Sequence, residues 1–417
     1  MTNTPQPESA AARLLADPHD SRNNGFRGSL RAFAERVRGG DLGSLPVIVG
    51  LAVIWIVFQV LNPTFLSSTN LYNLTMQSAA VGTIAIGIVL VLLIGEIDLS
   101  VGSVSGLSGA IVAVGFVQLG WPVALVLAAA IVSGAVVGFV FGFLYTRFGV
   151  PSFVITLAGL LAVLGLQLKV LGRVGSINIP FDSWIVQFGQ QMRVPPVLTY
   201  VIIAVVVLGY GWQLVAQARR RTEAGLVAMS ASVIAARVAL LLVVLGVSAW
   251  YLNLSRGVGL MFLVFLVLVA IMHLVLTRTR WGRAVYAVGG NVEAARRAGI
   301  RVNRIYISVF VLCSTFAAVG GILAAARLAG SNQTSGGGDV NLNAIAAAVI
   351  GGTSLFGGRG SAFSALLGVL VIMSISSGLT LLNLDSAVRY VITGAVLVLA
   401  VVIDSLSRRS RAATGRA

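Results

Sequence analysis

The sequence predicts an all-α polytopic membrane protein. Three observations predict it. Of 417 residues, 57% are hydrophobic and 10% charged, against roughly 45–50% and about 25% in soluble domains. Mean hydropathy is +0.96. Apolar stretches recur from about residue 45 to about residue 404. At about 20 apolar residues per spanning helix, the stock supports about twelve spans. An ordinary soluble enzyme, a disordered chain, a disulfide scaffold and a single-anchor protein are excluded. The single cysteine, Cys313, lies inside an apolar run, so no intrachain disulfide is available.

Residues 1–44 are polar and read as a cytoplasmic tail. Leu30, Phe33, Ala34 and Val37 recur at helical spacing between Ser29 and Gly39-Gly40, which predicts a short interfacial helix. No apolar core follows a basic start, so the tail is not read as a secretory signal. The membrane domain runs over 45–407, and 408–417 is a second cytoplasmic tail. Spans are expected at 45–61, 75–94, 100–118, 122–146, 151–171, 196–216, 233–254, 257–277, 304–327, 342–357, 361–382 and 386–404. The segments at 100–118 and 342–357 are Gly/Ser-rich or short, so broken or tilted helices are expected there. Ten spans plus two irregular segments is the alternative to twelve. The 48 glycines suit close approach of membrane helices. A faint echo at an offset of 256 pairs Ile94-Gly95 with Ile350-Gly351, Leu99 with Leu355, Gly102 with Gly358 and Ser108 with Ser364. It fits a parallel internal repeat, and it equally fits chance in Gly-rich sequence.

The net charge of +16 could signal nucleic-acid binding in a soluble domain. On this map, 23 of the 29 basic residues fall on one face and six on the other. That asymmetry is the positive-inside pattern. It puts both termini in the cytoplasm and removes nucleic acid from the expected partners.

Several motifs bear on chemistry. The only lysine, Lys169, follows Leu168, so the chain has no G-x-x-x-x-G-K-[ST] loop. It therefore binds no nucleotide through such a loop. Two histidines and one cysteine make no metal site, and His273 reads as a helix contact. In the basic loop 278–304, Gly289-Gly290 breaks the chain and Asn291 stands at an N-cap position. Glu293, Ala294 and Ala295 start a helix former that Gly299 ends. Glu293 near the N-terminus and Arg296-Arg297 near the C-terminus suit the helix dipole. So short a helix is unstable alone and should dock on something, although a solvated basic loop is the plain alternative. Glu96 and Asp98 lie between two spans, where carboxylates are functional candidates. They could serve proton or cation coupling; the plainer reading makes Asp98 or Ser100 a helix cap. Thr353 and Ser354 sit in the turn Gly351–Ser361, whose glycines permit irregular backbone at membrane depth. The segment 328–343 is rich in amides and hydroxyls, which suit sugar hydroxyls and suit a solvated loop as well.

Four stretches together resemble the sugar permeases of ABC importers, the ribose/xylose/galactose group. They are GEIDLSVGS (95–103), VPSFVITLAGLLA (150–162), YAVGGNVEAARRAGI (286–300) and IAAAVIGGTSLFGG (345–358). The resemblance runs from about 65 to 407. It is nearest the D-xylose subgroup, because of an extra region around Arg219-Arg220-Arg221. Thr279-Arg280-Trp281-Gly282 and the Arg-rich tails depart from it without touching the hallmark stretches. The resemblance implies a transport subunit of the bacterial plasma membrane that performs no covalent chemistry and binds no cofactor itself. ATP and Mg would sit on a separate cytoplasmic ABC ATPase subunit docked on the loop around Gly289, Gly290, Asn291, Glu293, Ala294, Ala295 and Gly299. An extracytoplasmic sugar-binding protein would deliver the sugar, and a permease homodimer, or this chain paired with a like subunit, would form its path. Glu96, Asp98, Ser100, Thr353 and Ser354 would be pathway or cap residues. The alternative is an ion-coupled secondary transporter using Glu96 and Asp98.

Overall fold

The computed structural model describes residues 45–226, 228–385, 387–388, 390–395, 398 and 402. The expected interfacial helix and C-terminal tail lie outside the described residues. Among those described, nine helices are long and apolar enough to cross a membrane, and two apolar helices are shorter. Each expected span from 45 to 382 overlaps one of these eleven, although the bounds differ by up to seven residues, as at 75–94 and 342–357. The described residues between 387 and 402 are helical, and the rest of the span expected at 386–404 is outside the description.

The residues form two compact units. The smaller one holds α7 (Pro196–Glu223) and all but the last two residues of α8 (Ala231–Asn253). Their apolar side chains are exposed nearly all round, as lipid-facing helices require. Gly211 of α7 lies against Val238 of α8. Arg220 and Arg221, preceded by Arg219, lie in the last turn of α7, cations at the negative end of the helix dipole.

The larger unit holds the other elements. They begin with α1 (Leu45–Leu61), α2 (Ser68–Leu93), α3 (Val101–Ala113), α4 (Val123–Phe148) and α5 (Ser152–Leu171). Strand β1 (Ser176–Asn178), α6 (Trp184–Gln190) and β2 (Arg193–Val194) precede the smaller unit. After it come β3 (Val258–Gly259), α9 (Leu260–Arg278), α10 (Arg280–Gly290), α11 (Val292–Arg297) and α12 (Val302–Leu328). Strand β4 (Gly330–Asn332), α13 (Asp339–Ile350) and α14 (Ala362–Leu381) complete the set. Two short antiparallel pairs interrupt the helical design. β1 meets β4 with Ile177 opposite Ser331, and β2 meets β3 with Arg193 opposite Gly259.

The second half of α2 is apolar nearly all round, and Ile86, Val89, Leu90, Val91 and Leu93 are wholly buried. A helix of that kind belongs in a core. α12 packs on α2, α3 and α4. The α4 contact explains three glycines spaced four apart. A Cβ on Gly134, Gly138 or Gly142 would overlap Ser314, Phe310 or Ile307 of α12. Small residues let such backbones meet. α1 and α2 hold α14 by polar side chains: Trp55 Nε1 donates to Ser374 Oγ (2.8 Å), and Ser377 Oγ donates to Asn70 Oδ1 (3.0 Å).

The helix expected at 342–357 is instead Asp339–Ile350. Gly352 takes a φ of +99°, a left-handed geometry that stops the helix. At 12 residues it spans about 18 Å, short of a hydrocarbon core of about 30 Å. α3 is interrupted in its own way, closing in a π-turn at Val114–Gln118.

Candidate functional site

The segment after α9 is built from local caps. Thr279 Oγ1 accepts from Gly282 N (3.0 Å) and starts α10. Asn291 closes α10 and opens α11: its Oδ1 accepts from Ala294 N (2.9 Å), while its backbone is extended. Gly299 ends the unit at a φ of +80°, which glycine adopts without strain. α11 is six residues long and leans inward only through Ala295, which is buried with Val292 and Ile300 packed nearby. Glu293, Ala294, Arg296 and Arg297 are exposed. Glu293 Oε1 accepts from Arg296 Nη1 at 2.7 Å, one turn along. α10 is anchored by Trp281 Nε1 donating to Ser308 Oγ (2.9 Å) and by Tyr286 OH donating to Gly360 O (2.8 Å). Burial raises the Tyr286 phenol above its ordinary pKa.

The connector between α2 and α3 separates its two carboxylates. Glu96 Oε1 accepts from Tyr145 OH at 2.6 Å. Asp98 is buried, and its Oδ1 accepts from Ser100 N (2.8 Å) and Ser100 Oγ (2.6 Å). Its Oδ2 is buried with no hydrogen-bond partner, and Cys313 lies beside the carboxyl group. Neither residue caps α3. Ser100 occupies the N-cap position but makes no side-chain capping bond, because its hydroxyl is turned back to Asp98.

The connector between α13 and α14 is folded on itself. Ser354 N donates to Arg359 O (2.9 Å), and Ser354 Oγ accepts from Phe356 N (3.2 Å). Thr353 is buried and its Oγ1 has no partner. Gly358 N reaches across to Leu93 O at 2.9 Å. The two stretches related by the sequence echo therefore touch at the same end of the molecule.

At the other end, the polar segment 328–343 is held rather than loose. Buried Gln167 donates from Nε2 to Asn332 O (3.1 Å) and Ser335 O (2.9 Å). Asn332 Oδ1 accepts from Thr334 N (2.9 Å). The segment then runs back to the start of α3, where Asn341 Oδ1 accepts from Gly102 N, two residues past Ser100. Gln167 carries no motif and its role was not apparent from sequence. Its one signal is a polar residue inside an apolar span. His273 packs against the Phe363 ring at 4.8 Å. Among the described residues no cluster of His, Cys, Asp or Glu could hold a metal.

Comparison with known proteins agrees with this architecture. Residues 70–401 match the family model described as branched-chain amino acid transport system / permease component. The chain is 37% identical to the xylose transport system permease protein XylH of Escherichia coli (strain K12) over 346 residues, covering 83% of this chain and 87% of that one. It is 35% identical to XylH of Haemophilus influenzae over 365 residues, 87% of this chain and 96% of the other. It is 31% identical to the ribose import permease protein RbsC of Escherichia coli (strain K12) over 364 residues, 86% of this chain and 92% of that one. No solved structure matches the chain. These relatives are transport permeases and not enzymes, and a helical, multi-pass chain that matches them over most of its length belongs to the branched-chain amino acid transport system / permease component family.

Proposed function

We propose that this chain is the membrane-spanning subunit of an ATP-driven importer that carries a monosaccharide, D-xylose or a related pentose, into the cytoplasm. The observation that carries the coupling is α11. It is capped by Asn291, ended by Gly299 and displays Glu293, Ala294, Arg296 and Arg297 outward. A six-residue helix is not stable by itself, so its display on a fixed platform suits a groove on a partner. A chain with no phosphate-binding lysine motif needs that partner to be a separate ATPase subunit, which holds ATP and Mg. The xylose permeases among its relatives support the substrate. An extracytoplasmic sugar-binding protein delivers the pentose, a second copy of the permease completes the path, and ATP-driven cycling biases alternate access. The arginines around α10 and α11, with the basic excess on one face of the sequence map, support a cytoplasmic position for that end and for both termini.

A second reading rests on Asp98. A buried carboxyl group with one unpartnered oxygen would suit a secondary transporter coupled to an ion. One experiment separates the two. Permease, ATPase and binding protein are reconstituted in proteoliposomes, and uptake of labelled xylose, ribose and galactose is followed. Uptake of xylose that needs ATP and all three proteins is expected. Uptake by the permease alone, driven by a proton or sodium gradient, would sink the importer reading.

A further inference from the structure

We infer that Gly289 is a positioning residue that lets the α10–α11 segment bear on both interhelical connectors through a single contact. The inference rests on the reading of α11 as the ATPase-docking element. Leu93 is the last residue of α2, so its carbonyl is among those that a helix leaves without an internal partner. The partner it finds is Gly358 N, at 2.9 Å, from the connector between α13 and α14. Gly289 lies in the last turn of α10 and covers that hydrogen bond. A Cβ at Gly289 would overlap Leu93 O and stand 2.7 Å from Gly358 N.

The contact is continued on its other side. Gly357 has a φ of +84°, and a Cβ there would stand 2.6 Å from Gly289 O and 3.1 Å from Gly95 N. Backbone from α2, from its connector, from α10 and from the second connector thus meets with no side chain between. One turn before Gly289, Tyr286 OH holds Gly360 O at 2.8 Å. Two residues after it, Asn291 caps the helix that displays Glu293.

Rigid bodies in backbone contact move together, and packed contacts of this kind switch between discrete arrangements instead of deforming smoothly. A displacement of α11 therefore reaches the α2–α3 connector and the α13–α14 connector in the same step. One connector carries Glu96 and Asp98; the other carries Thr353 and Ser354. A side chain at 289 would pry the three apart while leaving the exposed face of α11 unaltered.

The readout is pentose transported per ATP hydrolysed, in proteoliposomes holding permease, ATPase and binding protein. Uptake and hydrolysis are each referred to the ATPase that co-purifies with the permease. Gly289→Ala is expected to lower this ratio roughly ten-fold, and Tyr286→Phe, which removes only one hydrogen bond, about three-fold. A loss of stability alone would lower uptake and hydrolysis in proportion and keep the ratio, which would overturn the inference. If Gly289→Ala fails to reach the membrane, Tyr286→Phe decides, and a wild-type ratio in it overturns the inference as well. Failure of the importer reading looks different: wild-type permease would then take up sugar with no ATPase present.

Discussion

Tyr145 donates its hydroxyl to Glu96 Oε1 at 2.6 Å, tying the α2–α3 connector to the end of α4. The ring of Tyr145 rests on Tyr306 of α12, with centroids 4.7 Å apart. Three elements distant in sequence are thus joined at one carboxylate, and Asp98, two residues on, faces other partners altogether. The two carboxylates of the connector share no hydrogen-bond partner.

Tyr145→Phe keeps the ring contact and removes only the hydroxyl. Hydrogen bonds to charged groups contribute about 1.5–3 kcal/mol, and partial burial of this one puts the loss near the lower end. Thermal unfolding of the purified protein is expected to shift down by a few degrees. Glu96→Gln keeps an acceptor and should cost less. An order in which Glu96→Gln is the more damaging would show that the charge of Glu96 does something besides accept this bond.

Glu293→Ala tests docking apart from stability. Glu293 and Arg296 are both largely exposed, and exposed pairs one turn apart contribute only about 0.3–0.5 kcal/mol. Unfolding temperature is expected to stay at the wild-type value. Co-purification of the ATPase subunit should fall about ten-fold or more, as when a charged side chain is removed from the centre of an interface. Full retention of the ATPase would remove Glu293 from the docking surface.

The spans were legible in the sequence because hydropathy is a local property. So were the limits of α11, since Asn291 and Gly299 act on their own neighbours. The end of α13 was misplaced by several residues, because only the folded chain puts Gly352 at a positive φ. Nor could sequence divide Glu96 from Asp98, since Tyr145 and Cys313 reach them from other helices. The same holds for Gln167 and Gly289, whose partners lie far along the chain. Local chemistry was readable, and chemistry assembled across the bundle was not.

Asp98→Asn separates the two transport readings. Asparagine is nearly isosteric and keeps an oxygen to accept from Ser100 N and Oγ, so the turn should survive. In an ATP-driven permease, uptake is expected to stay ATP-dependent and within about three-fold of wild type, or about 0.7 kcal/mol. In an ion-coupled carrier, uptake and its proton dependence would vanish together. Asp98→Leu leaves the Ser100 groups without their acceptor, and a lost buried partner costs about 1–3 kcal/mol. It should lower the yield of folded protein in either case.

Gly138→Val tests the α4–α12 contact. A Cβ at 138 meets Phe310 O, with Val311 Cα 2.8 Å away. Both are backbone atoms that cannot rotate aside. Overpacking costs about 1–3 kcal/mol even where side chains can adjust, so the loss should reach at least the upper end of that range. The expected outcome is a sharp fall in folded protein recovered from membranes. The same change at Gly165, which has open space around it, should be harmless, apart from the small cost of a β-branched residue in a helix. Equal damage at both positions would mean that helix propensity, and not packing, limits the fold.

Gln167→Leu addresses the opposite end of the bundle. The amide of Gln167 holds the carbonyls of Asn332 and Ser335. Asn332 O also accepts from Ser335 N (3.1 Å), and among the described residues no other side chain donates to either carbonyl. Leucine fills similar space and donates nothing. Asn332 is exposed and Ser335 half-buried, so water replaces part of what is lost. The net cost is then near the lower end of the range for a lost partner, about 1 kcal/mol. That corresponds to about five-fold faster hydrogen exchange in residues 330–338 if they open locally. Exchange in α10 and α11, at the far end of the molecule, should not change. Acceleration across the whole chain would mean that Gln167 supports the fold globally, and no acceleration would mean that the remaining contacts, β1 among them, hold the segment in place.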